Sequence, residues 1–216
     1  KYGLTFLFVQ SEFGLCCPLS MTDSLTRTLK KFGDKKLIDK FFDQLTSQDL
    51  DHLFQGAMFM TEQHAGSDVG SIDTLAEFED GNWFLTGDKW FCSNPDADLA
   101  MVLARHNKKI NGTKGLALFL LPKTLENGDP NNYEIIRLKD KLGGRSFASG
   151  EIRLNRAFAY IVGNPNEGFK QMTDMINMSR LSNGVRASGM MQRCFQESLF
   201  ISNTRHAFNK KLIDLP

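Results

Sequence analysis

The stretch Gly56-Ala57-Met58-Phe59-Met60-Thr61-Glu62-Gln63-His64-Ala65-Gly66-Ser67-Asp68 decides how the chain is read. Its first part, Gly56 to Met60, is a short apolar run headed by glycine, and it reads as a strand. The rest is a loop with a glycine, two hydroxyls and two acids. Glycine has no Cβ in the way, so such a loop lets backbone N–H groups approach a phosphate or a flat ring.

Downstream, to about Asn155, the segments stay short and rich in β-branched and aromatic residues. Turn chemistry separates them at Asp80-Gly81-Asn82, Thr86-Gly87-Asp88, Asn94-Pro95, Asn111-Gly112, Asn127-Gly128-Asp129 and Gly143-Gly144. Further strands are predicted at Leu75 to Phe78, Trp83 to Leu85, Lys89 to Cys92, Met101 to Arg105, Leu116 to Leu121, Tyr133 to Leu138 and Glu151 to Leu154. Connections this short favour antiparallel pairing. Upstream, Leu25, Leu29, Phe32, Leu37, Ile38, Phe41, Phe42 and Leu45 keep a helical period, with a stop and restart at Gly33-Asp34 and a break near Thr46-Ser47. Beyond Asn164-Pro165, Met172, Met175, Ile176, Val185, Met190, Met191, Phe195, Leu199 and Phe200 predict a long helix, bent near Ser188-Gly189, whose methionine stripe reads as core packing. The fold class is α+β: helices over 1–55, a β-barrel-like antiparallel middle domain over 56–160, and the start of a helical bundle over 161–216.

At 216 residues, with hydrophobic residues at 41%, the chain can bury a core. Lys and Arg number 26 against 25 Asp and Glu, a net charge of +1 that argues against a global electrostatic grip on DNA. The longest apolar runs, Leu4 to Val9 and Gly115 to Leu121, are far shorter than a membrane helix. A soluble, cytoplasmic protein is expected. Cys16, Cys17, Cys92 and Cys194 form no metal or redox motif and are expected reduced, with Cys16 and Cys17 as small buried hydrophobes; no metal site is predicted. The chain begins at Lys1 inside an apolar stretch and stops at Pro216 just after a helical pattern, so both ends look cut.

Two further features carry chemistry. In Gly87-Asp88-Lys89-Trp90-Phe91-Cys92-Ser93-Asn94 two aromatics precede a hydroxyl, a pairing that can stack on a ring and hydrogen-bond it. Arg205-His206-Ala207-Phe208-Asn209 sets a fixed cation beside an aromatic at a helix end.

In order and spacing these features resemble the acyl-CoA dehydrogenase family. Thr61-Glu62 with Gly66-Ser67-Asp68 resembles its Thr-Glu-Pro…Gly-Ser-Asp signature, and Gly87…Lys89…Phe91-Cys92-Ser93-Asn94 its Gly-x-Lys-x-Trp-Ile-Thr-Asn strand. Lys141-Leu142-Gly143-Gly144-Arg145, Glu167-Gly168-Phe169, Arg205-His206-Ala207-Phe208 and the helix from Gly33-Asp34-Lys35-Lys36 to Gln55 are similar to further family motifs, so the resemblance covers nearly the whole chain. It implies FAD-dependent α,β-dehydrogenation of an acyl-CoA thioester: a carboxylate takes the α proton and the β hydrogen leaves as hydride to the flavin.

The resemblance implies roles for named residues. Met58, Met60, Thr61, Gly66 and Ser67 would line the flavin, with Ser67 also touching the substrate's pantetheine arm. Phe91 stands where the family has tryptophan against the ring, Ser93 where it has a threonine, and Asn177 and Arg180 where its Asp-x-x-Arg meets CoA. Arg205 and Phe208 would reach the flavin of a neighbouring subunit, which implies a homodimer or homotetramer. An electron-transfer flavoprotein is the implied partner.

Gln63, Asn177 and Asn209 depart from the family pattern, and Gln63 with the Lys139-to-Gly143 segment resembles a divergent branch that includes bacterial alkylation-response flavoproteins, some of them DNA-associated. DNA association is not favoured by the balanced charge. An acyl-CoA oxidase is the other alternative, although no long β-domain insertion is evident. Ser179, before Arg180, cannot act as a carboxylate base, so the general base is expected beyond Pro216 and the chain alone is expected to be inactive.

Overall fold

The computed structural model describes residues 1–216, and its chain order is helices, sheet, helix. Three helices come first: α1 (Tyr2–Phe8), α2 (Cys16–Phe32) and α3 (Lys35–Thr46). The Gly33 amide closes α2 on the Leu29 carbonyl at 2.7 Å, and the Asp34 side chain caps α3 by accepting from the Leu37 amide at 2.8 Å. The predicted restart at Gly33-Asp34 is therefore a capped helix junction.

Seven strands follow: β1 (Gly56–Phe59), β2 (Leu75–Glu79), β3 (Asn82–Ser93), β4 (Leu99–Arg105), β5 (Leu116–Pro122), β6 (Tyr133–Leu138) and β7 (Ser149–Val162). They run in the order β1-β3-β2-β4-β5-β7-β6, and additional β1–β4 and β3–β7 pairings fold the sheet back on itself. Most pairs are antiparallel, as expected, but β1 and β2 each also pair with β4 in parallel, because the β1-to-β4 path passes through the intervening hairpin. Two strand predictions need correction. Trp83–Leu85 and Lys89–Cys92 are one strand, β3: Thr86-Gly87-Asp88 is a register shift rather than a turn, with Gly87 at φ +149° against Thr74. Glu151–Leu154 is only part of the first half of β7, which continues to Val162 along β3 and β5.

Strand parity divides the core in two. Leu99, Met101 and Leu103 of β4 and Leu116, Leu118 and Leu120 of β5 face the helices, packing with Leu25, Leu29, Leu37, Phe41, Leu45, Met172 and Met175. The alternate residues Ala100, Val102, Ala104, Ala117, Phe119 and Leu121 face the inside of the folded sheet with Phe59, Leu85, Cys92, Ile152 and Leu154. Both faces of these strands are thus buried, and their sequences read as unbroken apolar runs.

The final helix, α4 (Gly168–Thr204), has 37 residues and is about 55 Å long. The methionine stripe is core only in its first part: Met172 and Met175 are fully buried, whereas Met190, Met191, Phe195, Leu199 and Phe200 are exposed. Gly189 lies where α4 crosses α1, and a Cβ there would meet the Phe6 carbonyl oxygen at 2.7 Å. After α4 a two-strand hairpin, β8 (His206–Ala207) and β9 (Lys210–Lys211), turns through Phe208 and Asn209, both at positive φ. Cys16 and Cys92 are buried, but Cys17 is half-buried and Cys194 exposed. No helix is long and apolar enough to cross a membrane.

The start of α4 sits directly on β5: a Cβ on Gly168 would lie 2.4 Å from Ala117 Cα and 2.5 Å from the Leu118 nitrogen. Backbone cannot give way as a side-chain end can, so Gly168→Ala is expected to destabilise the protein by about 1–3 kcal/mol. Urea unfolding followed by far-UV circular dichroism measures this as a lowered midpoint.

Candidate active site

The chain leaves β1 at Met60 and turns at once into Thr61 and Glu62. Glu62 is 3% exposed and its carboxylate is fully engaged. Oε1 accepts from Lys89 Nζ at 2.8 Å, from the Thr74 amide at 3.0 Å and from the Thr74 hydroxyl at 2.5 Å, while Oε2 accepts from the Asp73 amide at 2.8 Å. Lys89, itself 1% exposed, also donates to the Met60 carbonyl at 3.3 Å. Burial pushes the Glu62 pKa up, but the Lys89 charge and these hydrogen bonds outweigh it and hold the carboxyl below its ordinary value of 4.5.

Lys89 reaches Glu62 because β3 is irregular there. In a regular strand residues three apart face opposite sides, yet Lys89 and Cys92 are both buried. The register shift between Lys89 and Cys92 reconciles them, and Phe91 takes up the irregularity at φ +56° with its side of the strand turned outward, 45% exposed. On either side the strand is tied to the loop: the Trp90 amide donates to the Thr61 carbonyl at 2.7 Å, and Ser93 is the register partner of Met58.

Met58, Met60, Thr61, Phe91 and Ser93 therefore come together along the β1–β3 seam. Gly66 and Ser67 follow on the same loop, exposed, and the space where a Gly66 Cβ would stand is open. The hydroxyls of Thr61, Ser67 and Ser93 make no hydrogen bond within the chain and are not sealed from the surface. Lys139 Nζ lies 3.8 Å from the centre of the Phe91 ring, and the Trp90 ring packs against Phe91 at 4.5 Å between centroids. Trp90 Nε1 donates to Glu151, which also pairs with Arg137 at 2.8 Å; hydrogen bonds from Arg137 and Trp90 hold its pKa down. Burial pushes the Cys92 thiol up to about 12, so it stays protonated and inert. This seam presents a partly exposed aromatic ring, flanked by Lys139 and Trp90, with free hydroxyls at its margin, an arrangement suited to a flat, polar-edged ring.

The other predicted residues lie apart from the seam. Asn177 and Arg180 are exposed on α4 and bond one another at 3.4 Å. Arg205 ends α4, 25 residues beyond Arg180, and Phe208 stands 90% exposed in the hairpin turn. No side-chain hydrogen bond, ion pair or ring contact joins these four to the β1–β3 seam of the same chain. Elsewhere, an apolar groove of about 660 Å³ runs between α1, α2 and α4, lined by Leu4, Leu7, Phe8, Cys16, Leu19 and Ser182 among others.

Comparison with known proteins agrees with this architecture. Residues 57–157 match the family described as acyl-CoA dehydrogenase, middle domain, and residues 166–216 match acyl-CoA dehydrogenase, C-terminal domain. The chain belongs to the acyl-CoA dehydrogenase family. It is 35% identical over 214 residues to acyl-CoA dehydrogenase family member 11 of Caenorhabditis elegans, covering 95% of this chain and 35% of that protein. To AidB of Escherichia coli (strain K12) it is 35% identical over 219 residues, covering 97% of this chain and 39% of that one. The crystal structure of Caenorhabditis elegans ACDH-11 in complex with C11-CoA superposes with a TM-score of 0.91 at 34% identity, covering 100% of this chain and 38% of that one. The chain thus spans 35–39% of the length of these relatives.

For an acyl-CoA dehydrogenase family member, the residues that sequence reasoning passed over are Glu62, Lys89 and Thr74. Glu62 and Lys89 were visible inside the quoted motifs, but nothing in their spacing says that an acid and a lysine 27 positions apart meet in a sealed interior. Removing one partner leaves the other charge buried alone, so Glu62→Gln is expected to destabilise the protein by about 3–5 kcal/mol, and adding Lys89→Met is expected to restore part of the loss. The pair also sets a pH dependence. Because the folded pKa of Glu62 is depressed, its contribution is fully present above the ordinary value of 4.5 and is lost as pH falls through the lower folded value. Denaturant midpoints measured from pH 7 down to pH 3 are expected to fall in that acid range, and the fall is expected to be shallower in the double variant.

Proposed function

We propose that the protein carries out FAD-dependent α,β-dehydrogenation of an acyl-CoA thioester. The observation that supports this most strongly is the seam itself: Phe91 half-exposed beside the free hydroxyls of Thr61 and Ser93, next to an open glycine loop. These groups fit a flavin. Phe91 offers a ring face, Thr61 and Ser93 offer hydrogen bonds to the ring edge, Met58 and Met60 complete the apolar wall, and Gly66-Ser67 leaves room for close backbone approach. FAD, when bound, supplies the acceptor for the hydride that leaves Cβ.

On the substrate side, Ser67, Asn177 and Arg180 are the polar groups for the CoA arm, and the groove between α1, α2 and α4 takes the acyl chain. A relative solved with C11-CoA lends support to that class of ligand. We assign Arg205 and Phe208, exposed at the far end of α4, to the flavin of a second copy, which would make the working enzyme a dimer or tetramer. An electron-transfer flavoprotein is the proposed acceptor.

The α proton needs a carboxylate base. Glu62 and Glu151, the acids nearest the seam, are held ionised by Lys89 and by Arg137, which makes both weak bases. We assign the base to a carboxylate that these 216 residues do not supply, and the chain alone is expected to bind acyl-CoA without turning it over.

The test is anaerobic addition of acyl-CoA thioesters to the flavin-loaded full-length protein. Bleaching of the visible flavin band by at least one thioester is expected, and Ser93→Ala is expected to weaken FAD binding about five-fold, the loss of one hydrogen bond of about 1 kcal/mol. A bound flavin that no acyl-CoA reduces overturns the proposal.

A further inference from the structure

Lys139 follows β6 directly, and its amide donates to the Ser149 carbonyl at 2.8 Å. Ser149 is in turn the register partner of Ser93 across β7 and β3. The Lys139 backbone is thereby pinned at the margin of the β1–β3 seam. Its side chain is exposed and is not pinned. The acids on the adjoining backbone serve other cations: Asp140 pairs with Arg145 at 3.5 Å, and Glu151 with Arg137 at 2.8 Å. The neighbouring Lys141 is tied down as well, donating to the Phe147 carbonyl at 2.5 Å and the Ser149 hydroxyl at 3.2 Å.

What the Lys139 ammonium does meet is the Phe91 ring, with Nζ 3.8 Å from its centre. Phe91 is the residue that the β3 irregularity turns outward at φ +56°. A cation without an anion therefore stands on the ring that offers the seam its aromatic face. The pinned backbone keeps this charge at the seam, and the flexible stem lets it leave the Phe91 face without leaving the site.

We propose that Lys139 sets the reduction potential of the flavin, its ammonium favouring the reduced ring over the oxidised one. This rests on the flavin reading of the seam. In the proposed reaction the Cβ–H bond breaks and hydride carries its electron pair and proton to the ring, while the α proton leaves to the base. The ring system thus gains one negative charge. A nearby cation attracts that added charge and has no net charge to act on in the oxidised ring, so it stabilises one form more than the other.

The experiment measures the midpoint potential of the flavin-loaded full-length protein against an indicator dye, with the affinity for oxidised FAD followed separately by fluorescence quenching. Lys139→Met is expected to change the oxidised affinity by no more than about threefold, the size of one exposed cation–π contact. The affinity for the reduced form is expected to fall about tenfold further, which lowers the potential by about 30 mV. Lys139→Arg is expected to keep the parent potential. Added salt is expected to narrow the gap between the parent and Lys139→Met, because an exposed charge is screened. Equal potentials in the parent and Lys139→Met, or a gap that salt leaves unchanged, overturn the inference while leaving the flavin reading intact. If the parent binds no FAD, the flavin reading itself fails and this inference with it.

Discussion

The buried pair of Glu62 and Lys89 is the constraint on which the rest of the candidate site depends. It joins three pieces that are remote in sequence: the end of β1 through the Met60 carbonyl, the start of β2 through Thr74 and Asp73, and the middle of β3 through Lys89 itself. A charge pair in this position is poor value as stabilisation, since the desolvation of both ions offsets most of their attraction. What it does supply is direction. With four donors converging on one carboxylate, the loop after β1 has one arrangement, and the hydroxyl and backbone of Thr61 are carried to a fixed place beside Trp90 and Phe91.

The irregularity of β3 is the second half of the same device. Satisfying Glu62 requires Lys89 inside, packing Cys92 requires Cys92 inside, and only a bulge between them permits both. Its consequence is that Phe91 leaves the alternation and stands outward with a left-handed backbone, a conformation uncommon for a bulky residue and one found where structure serves function. Beneath this seam, β4 and β5 are buried on both faces, giving the site a rigid floor shared by the helices and the folded sheet.

The general order of helices, strands and long helix was legible in the apolar periodicity, because each change of period marks a change of packing partner. Asp34 as a cap, the turns at Asp80-Gly81 and Asn127-Gly128, and the burial of Leu25, Leu29, Phe41 and Leu45 could all be read locally. What failed depended on distant partners. Thr86-Gly87-Asp88 has the composition of a turn, yet Thr74 and β7 pack along both sides and keep the strand continuous. The apolar stripe of α4 has one period throughout, but only its first third meets the sheet, so the same pattern is core at Met172 and surface at Phe195. For the candidate site, the motifs brought Met58, Thr61, Phe91 and Ser93 to notice. The ion pair that holds them was not legible, since it is defined by which groups meet in three dimensions.

On the proposed flavin reading, the Glu62–Lys89 pair builds the wall against which the ring would lie, beyond supporting the fold. The most direct measurement is the FAD affinity of Glu62→Gln against the parent protein, followed by quenching of flavin fluorescence at a temperature where far-UV circular dichroism shows both folded. The variant is expected to lose affinity at least tenfold while keeping its secondary structure, because Thr61 and Phe91 are no longer held in register. Equal affinity in the folded variant would contradict it.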